Sequence, residues 1–306
     1  ASVPTAGSLR RMSTRFVIIG GGPAGNSAAT HAARLGAEVV LIERDVIGGA
    51  AHLWDCIPSK AMIATGGALT YVAHGEDMGL DVADGRIDIE ALGSRLRGIE
   101  HKLEHSITEL LVSQRVELLR GRARLLDAHN VEVTTESGVR TVGADIVVLC
   151  TGSRPRIPDW ATPDGVRVLT TRDAYPPPAI PEHLVVVGSG VTGVEFVHMF
   201  KSLGSEVTLV VSRQQVLPSK DPEVAAVLED DFLRRGVQLL KGARATAIDR
   251  VADPDGKEEV VVRCDDGRVV RSSHAVLAIG SVPNTDGLGL EAAGVELDGG
   301  GYVTIN

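Results

Sequence analysis

Glycines at 20, 22 and 25, and again at 188, 190 and 193, repeat one spacing in one setting. That repeat limits what this chain can fold into more than any other feature. The first set follows Arg15-Phe16-Val17-Ile18-Ile19, a short apolar run of the kind that forms a strand buried on both faces. After Gly25 a helical stretch runs to about Leu35 and stops at Gly36, a glycine terminator. Glu38-Val39-Val40-Leu41-Ile42 is the next strand, with Glu43 at its carboxyl end. The second set repeats this order. Leu184-Val185-Val186-Val187 comes first, then the glycines, a helix to about Leu203, and a strand from Glu206 to Val211. Each strand–turn–helix–strand run is a βαβ unit of the dinucleotide-binding kind, and two of them make an internal repeat at the level of fold. The expected class is α/β, with two doubly wound Rossmann-like nucleotide-binding domains.

The glycines have separate tasks. One permits the tight turn, one lets the backbone reach a pyrophosphate, and the third lets the helix pack against its strand. The helix N-terminus adds N–H groups and partial positive charge for the phosphates. Glu43 is placed to hydrogen-bond a ribose diol. In the second unit no acid stands at the strand end, where Val211, Ser212 and Arg213 occur instead. A carboxylate there would repel the 2′-phosphate of NADPH, whereas serine and arginine can bond it, the arginine with charge assistance. The reading is NADPH. The alternative is that Arg213 is a solvated loop cation and the site takes NADH as well.

Between and beyond the two units the pattern stays mixed. Pro58 suits the first turn of a helix running through the seventies. Residues 86–115 carry apolar residues at helical spacing, interrupted by Gly93 and Gly98. A strand at 116–119 precedes a meander over 122–126, 131–135 and 138–142, and a buried strand at 145–150 ends in Thr151-Gly152. Residues 154–181 hold seven of the fourteen prolines, which marks a connector and a domain boundary. After the second unit come a helix from Pro222 to Arg235, strands near 237–240, 245–251 and 258–264, and a last strand at 274–279 before Gly280.

Composition excludes several classes. A net charge of −9 with no Lys/Arg run argues against a nucleic-acid or anionic-membrane surface. No apolar run reaches the ~20 residues of a membrane span. Three cysteines in 306 residues are not a disulfide framework, and the first residues lack the apolar core of a secretory signal, so a cytoplasmic setting is expected. Nine histidines and three cysteines show no metal-ligand spacing, so no metal is expected.

Three further motifs name a family. They are Gly48-Gly49-Ala50-Ala51-His52-Leu53-Trp54-Asp55-Cys56-Ile57-Pro58-Ser59-Lys60, Thr151-Gly152-Ser153 with Pro155, and Gly280-Ser281-Val282-Pro283-Asn284-Thr285. On these residues the chain resembles the pyridine nucleotide-disulfide oxidoreductases from about Thr14 to Asn306. The resemblance implies FAD on the first fold and NAD(P)H on the second. It divides the chain into a tail (1–13), an FAD-binding part (14–155), an NAD(P)-binding domain (156–280) and a return segment (281–306). It places Lys60 near flavin N5, paired with Glu195, where a fixed cation helps hold negative charge. Arg44, Gly49, Ala123, Thr151, Gly152 and Gly280 complete the implied cofactor-binding set.

Cys56 matches the family's flavin-proximal cysteine, and Lys60, Glu195 and Cys56 form the implied catalytic set. The attacking cysteine of the C-x4-C pair would stand at position 51, which is alanine. A dithiol relay needs both thiols, because a mixed disulfide must be resolved by a neighbour. The resemblance is therefore to the branch that lacks this cysteine, acts as NAD(P)H:quinone reductase and often carries the dihydrolipoyl dehydrogenase name. Hydride would pass from NADPH to FAD and on to a quinone-like small molecule, with Cys56 a packing residue under the flavin. The alternatives are a single-cysteine NAD(P)H oxidase or peroxidase and a nucleotide-binding fragment without turnover. The family's next motif and its C-terminal dimerisation domain fall beyond Asn306, so a homodimer is expected of a full-length version and not of this stretch.

Overall fold

The computed structural model describes residues 13–79, 81, 85–252 and 256–305. The tail assigned to 1–13 lies outside the described residues apart from Ser13. Strand β1 (Arg15–Ile19) passes through the first glycine turn into helix α1 (Pro23–Arg34), and β2 (Glu38–Glu43) follows. Pro23 opens α1, where its missing N–H would have had no partner. A five-residue π-helical turn, Ala51–Asp55, runs into α2 (Cys56–Ala73). Next come α3 (Ile89–Ser113), β3 (Glu117–Arg120), the meander β4 (Arg122–Leu125), β5 (Asn130–Thr135) and β6 (Gly138–Gly143), and then β7 (Ile146–Leu149).

The second half starts with β8 (Ser153–Pro155) and β9 (Val168–Leu169). It continues through β10 (His183–Val187), α4 (Val191–Ser202), β11 (Glu206–Val211), α5 (Pro222–Arg234) and β12 (Gln238–Lys241). It ends with β13 (Ala245–Ala252), β14 (Glu258–Cys264), β15 (Val269–Ser272), β16 (His274–Leu277) and β17 (Ser281–Pro283). The proline-rich stretch expected as a connector and domain boundary also supplies strand residues, in β8 and β9. β8 pairs with β17, and β9 adds to β16.

The chain divides into two compact units. One holds the residues up to Gly49, Leu103–Gly152 and those from Asn284 onward; the other holds Ala50–Lys102 and Ser153–Pro283. In the first, the sheet order is β3-β2-β1-β7 with every pair parallel. In the second it is β12-β11-β10-β16-β9, again parallel throughout. The same plan is used twice: the strand before the glycines is central, and an antiparallel three-stranded meander precedes the strand on its far side. Val17, Ile18, Val40 and Leu41 of one sheet and Leu184, Val185, Val186 and Leu209 of the other are fully buried. That is why these strands read as continuous apolar runs, as strands covered on both faces do.

Residues 50–102 fall within the 14–155 span in sequence but pack in the second unit. Met62, Leu92 and Leu96 share one core with Phe196, Phe200 and Leu203. Gly66 lets α2 approach α4, since a methyl group on it would stand 2.9 Å from the Ser202 Cβ. A glycine inside a helix costs ~1 kcal/mol against alanine, and here it permits the close packing. Among the described residues no helix is long and apolar enough to cross a membrane, and no group of three or more His, Cys, Asp or Glu side chains could hold a metal ion.

Candidate functional site

In the first unit the three glycines of the turn have different surroundings. Gly25 packs so closely on Gly20 that any side chain would overlap the Gly20 carbonyl oxygen. Gly22 is different: a side chain begun there would meet only the Gly49 Cα, at 3.9 Å. Gly48 and Gly49 lie against this turn, with the Gly48 N–H donating to the Gly21 carbonyl at 2.8 Å. Glu43 is buried, and its carboxylate accepts from the Gly21 N–H at 2.6 Å and the Asp45 N–H at 2.7 Å. A carboxylate has about four acceptor positions, so two remain for a diol. Thr151 and Gly152 are tied to Asn284, whose side chain donates to the Thr151 carbonyl at 2.9 Å and whose N–H donates to Gly152. Arg44 is exposed, and Ala123 is half-buried against the sheet core. These residues fit the pyrophosphate and ribose of a dinucleotide.

In the second unit the same turn opens on a cavity of about 490 Å³, within the range of small-molecule sites. Gly193 closes on Gly188 as Gly25 does on Gly20, while nothing lies within 4 Å of where a Gly190 side chain would start. Gly188, Gly190, Ser212, Arg213 and Gly280 line the cavity. Arg156, Trp160 and Arg244 line it too, and among the described residues no carboxylate does. Three guanidinium groups without an acid favour an anionic guest.

Lys60 and Glu195 meet in this unit. The Lys60 Nζ donates to Glu195 Oε1 at 2.8 Å and lies 3.3 Å from the Ser59 hydroxyl. The side chains are 57% and 32% exposed, so the pair contributes at most ~1 kcal/mol to stability. What the pairing adds is a fixed position for the charges. Cys56 sits at the junction of the π turn and α2, exposed among the protein's own atoms. The Cys56 N–H donates to the Ala51 carbonyl, a five-residue step. Residues 51 and 56 therefore stand one turn apart on the same face. His52 lies in this turn, with its Nδ1 buried and unpartnered. Cys264 is buried and Cys150 half-buried, and burial pushes both thiols up, which leaves them protonated and inert.

Comparison with known proteins follows the same lines. The family model for pyridine nucleotide-disulphide oxidoreductases matches residues 14–306. The chain belongs to this family. An NAD(P)H dehydrogenase (quinone) of Mycobacterium tuberculosis is 43% identical to it, over 96% of this chain and 61% of the relative. A dihydrolipoyl dehydrogenase of Chlorobaculum tepidum is 34% identical over 92% of this chain and 60% of the relative. The crystal structure of LpdA from Mycobacterium tuberculosis superposes with a TM-score of 0.88 at 42% identity, over 96% of this chain and 64% of that one. The chain thus spans about three fifths of the length of the curated relatives it matches.

The chain also gathers residues that its motifs did not announce. The Arg172 guanidinium sits 3.8 Å from the centre of the Trp54 ring, a cation–π contact of ~0.5–1 kcal/mol. Asp55, next to Cys56, accepts a hydrogen bond from Thr171. Tyr175 stacks on Phe196, with centroids 5.3 Å apart, and burial together with the charges of Asp55 and Glu195 holds its phenol protonated. Arg156, Trp160, Arg172 and Tyr175 lie in the proline-rich stretch, and Arg244 lies in a short segment between β12 and β13. No spacing signal marks them.

Asp55 stands at the N-terminus of α2, where a helix dipole usually lowers a carboxyl. Burial wins here and raises it, the Thr171 bond and Arg172 opposing. A carboxyl raised in the folded state lends stability that is fully present below its unfolded value of 3.8 and is lost as pH rises through the folded one. An Asp55→Asn substitution removes that loss. Its melting temperature, measured against the parent, should gain as pH rises from 3.8 through the folded value and then level off; a difference independent of pH would contradict the assignment.

Proposed function

We propose that this chain carries the catalytic half of an FAD-dependent NAD(P)H oxidoreductase that reduces quinone-like acceptors without a dithiol relay. One observation carries the reading. The turn that would present a C-x4-C pair has alanine at position 51 above Cys56, while the Lys60–Glu195 pair nearby is intact. Bound FAD would supply the hydride-accepting ring, with NADPH as donor. The protein's own residues bind and orient. In this reading residues 14–155 and 281–306 belong to the FAD-binding domain and 156–280 to the NAD(P)-binding one. Gly22 and Glu43 hold pyrophosphate and ribose on one unit, and Gly190 holds the second pyrophosphate on the other. Lys60, fixed by Glu195, offers a cation where negative charge gathers. Menadione should be turned over with NADPH much faster than lipoamide with NADH; equal rates would end this reading.

Nicotinamide preference follows from the cavity. Ser212, Arg213 and Arg244 face it without an acid, which favours the 2′-phosphate of NADPH. A charged hydrogen bond of this kind is worth ~1.5–3 kcal/mol. An Arg213→Gln substitution should therefore weaken NADPH binding roughly 10- to 100-fold and leave NADH nearly unchanged. Steady-state KM values for both donors check it; equal losses for the two would show that Arg213 reads no phosphate.

A second reading rests on the single thiol of Cys56, kept where position 51 is alanine. An accessible thiol can be oxidised to a sulfenic acid by peroxide and reduced again, as a single-cysteine peroxidase requires. Dimedone labelling of Cys56 after peroxide treatment distinguishes the two, since the quinone reading expects little.

A further inference from the structure

The loop between β11 and α5, residues 212–221, carries Ser212 and Arg213 and is held at three points. The Gly242 N–H donates to the Arg213 carbonyl at 3.0 Å. The Leu217 N–H donates to the Ser189 carbonyl at 2.7 Å, with Leu217 at φ +47°, a conformation that a branched residue rarely adopts. The third point comes from inside the unit. Glu229, buried on α5, accepts from the Val216 N–H at 2.9 Å through Oε1 and from Lys241 Nζ at 2.7 Å through Oε2. The Val216 side chain is itself fully buried, so the contact fixes both the backbone and the side chain of the loop.

We infer that Glu229 is a positioning residue for nucleotide selection: its buried carboxylate holds loop 212–221 in the arrangement that lines the cavity with Ser212 and Arg213. The inference rests on the reading of Arg213 as the contact to the 2′-phosphate. Two consequences follow from the hydrogen bonds. Without Glu229 the Val216 N–H is buried and unpaired, and the loop must move to satisfy it. The second consequence is selective: the loop that moves carries Ser212 and Arg213, whereas the glycine turn that would hold the pyrophosphate keeps its own packing of Gly193 on Gly188. One carboxylate on α5 thereby holds the loop without itself lining the cavity. Lys241 neutralises it at a distance from the cavity lining.

The test uses the full flavin-loaded chain and calorimetric titration with NADP⁺, NAD⁺ and 2′,5′-ADP. A Glu229→Ala substitution should weaken NADP⁺ and 2′,5′-ADP about tenfold and NAD⁺ much less, the loss expected for one buried hydrogen bond. Glu229→Gln keeps an acceptor for Val216 and should restore most of the affinity. Amide exchange on the parent adds a measurement that needs no variant: the Val216 and Leu217 amides should be protected before nucleotide is added. Unchanged NADP⁺ affinity in a folded Glu229→Ala protein, equal losses for NADP⁺ and NAD⁺, or unprotected amides in the parent would each overturn the inference. A parent that does not prefer NADP⁺ over NAD⁺ would refute the reading of Arg213 instead, and the exchange data would still judge the loop.

Discussion

An Ala51→Cys substitution should install an oxidisable pair in a single step. The π turn brings residue 51 over residue 56, with the Cys56 N–H bonded to the Ala51 carbonyl. Neighbouring turns put two Cα atoms within the ~4.4–6.8 Å that a disulfide spans. The geometry for C-x4-C is retained although the first thiol is missing. On mild oxidation the introduced thiol and Cys56 should both vanish from thiol titration and return with a dithiol reductant. Cys150 and Cys264, pushed up by burial, should take no part. If the quinone reading holds, lipoamide turnover should rise from background in the variant, because a mixed disulfide then has a neighbour to resolve it. If every thiol still titrates after oxidation, residues 51 and 56 do not share a face in solution.

A Lys60→Met substitution should slow the chemical step most. The ammonium is held 2.8 Å from Glu195 by helices packed through Gly66. Taking one fixed charge from a reacting centre typically costs 10²–10³ in rate, roughly 3–4 kcal/mol. The same change should alter stability by less than ~1 kcal/mol, because the pair is largely solvated. Anaerobic rapid mixing with NADPH measures the rate of flavin reduction directly, and a denaturant titration measures stability. A rate near the parent's would remove Lys60 from the chemistry. A large stability loss would recast the pair as structural. Lys60→Arg keeps the charge and should recover part of the rate.

Much of the fold was legible from residue order. Parallel strands buried on both faces leave uninterrupted runs such as Val39 to Ile42 and Leu184 to Val187, and the glycine spacing fixes the turn between strand and helix. The meander was legible because its three strands alternate. The site was legible where it is written as a motif: Gly22, Gly190, Glu43 and Lys60 each occupy a place their neighbours define. Other residues were not. Trp160, Arg244, Arg172 and Tyr175 reach their positions through β9, the segments around it and the end of β12, where few residues intervene and no period develops. The π turn at Ala51–Asp55 was equally hidden, since its one-residue surplus over an α-helix leaves no mark on the apolar pattern.

The sequence by itself determined two nucleotide folds, the family and the absence of a second thiol, because each depends on residue identity at fixed spacing along the chain. The tertiary structure decided what spacing cannot carry. It put residues 50–102 with the second unit through Met62, Leu92 and Leu96, wound Ala51–Asp55 into a π turn that brings residue 51 over Cys56, and set Glu229 under the loop that bears Arg213. Those facts depend on which buried faces meet, and burial is a property of the packed core and not of any one segment.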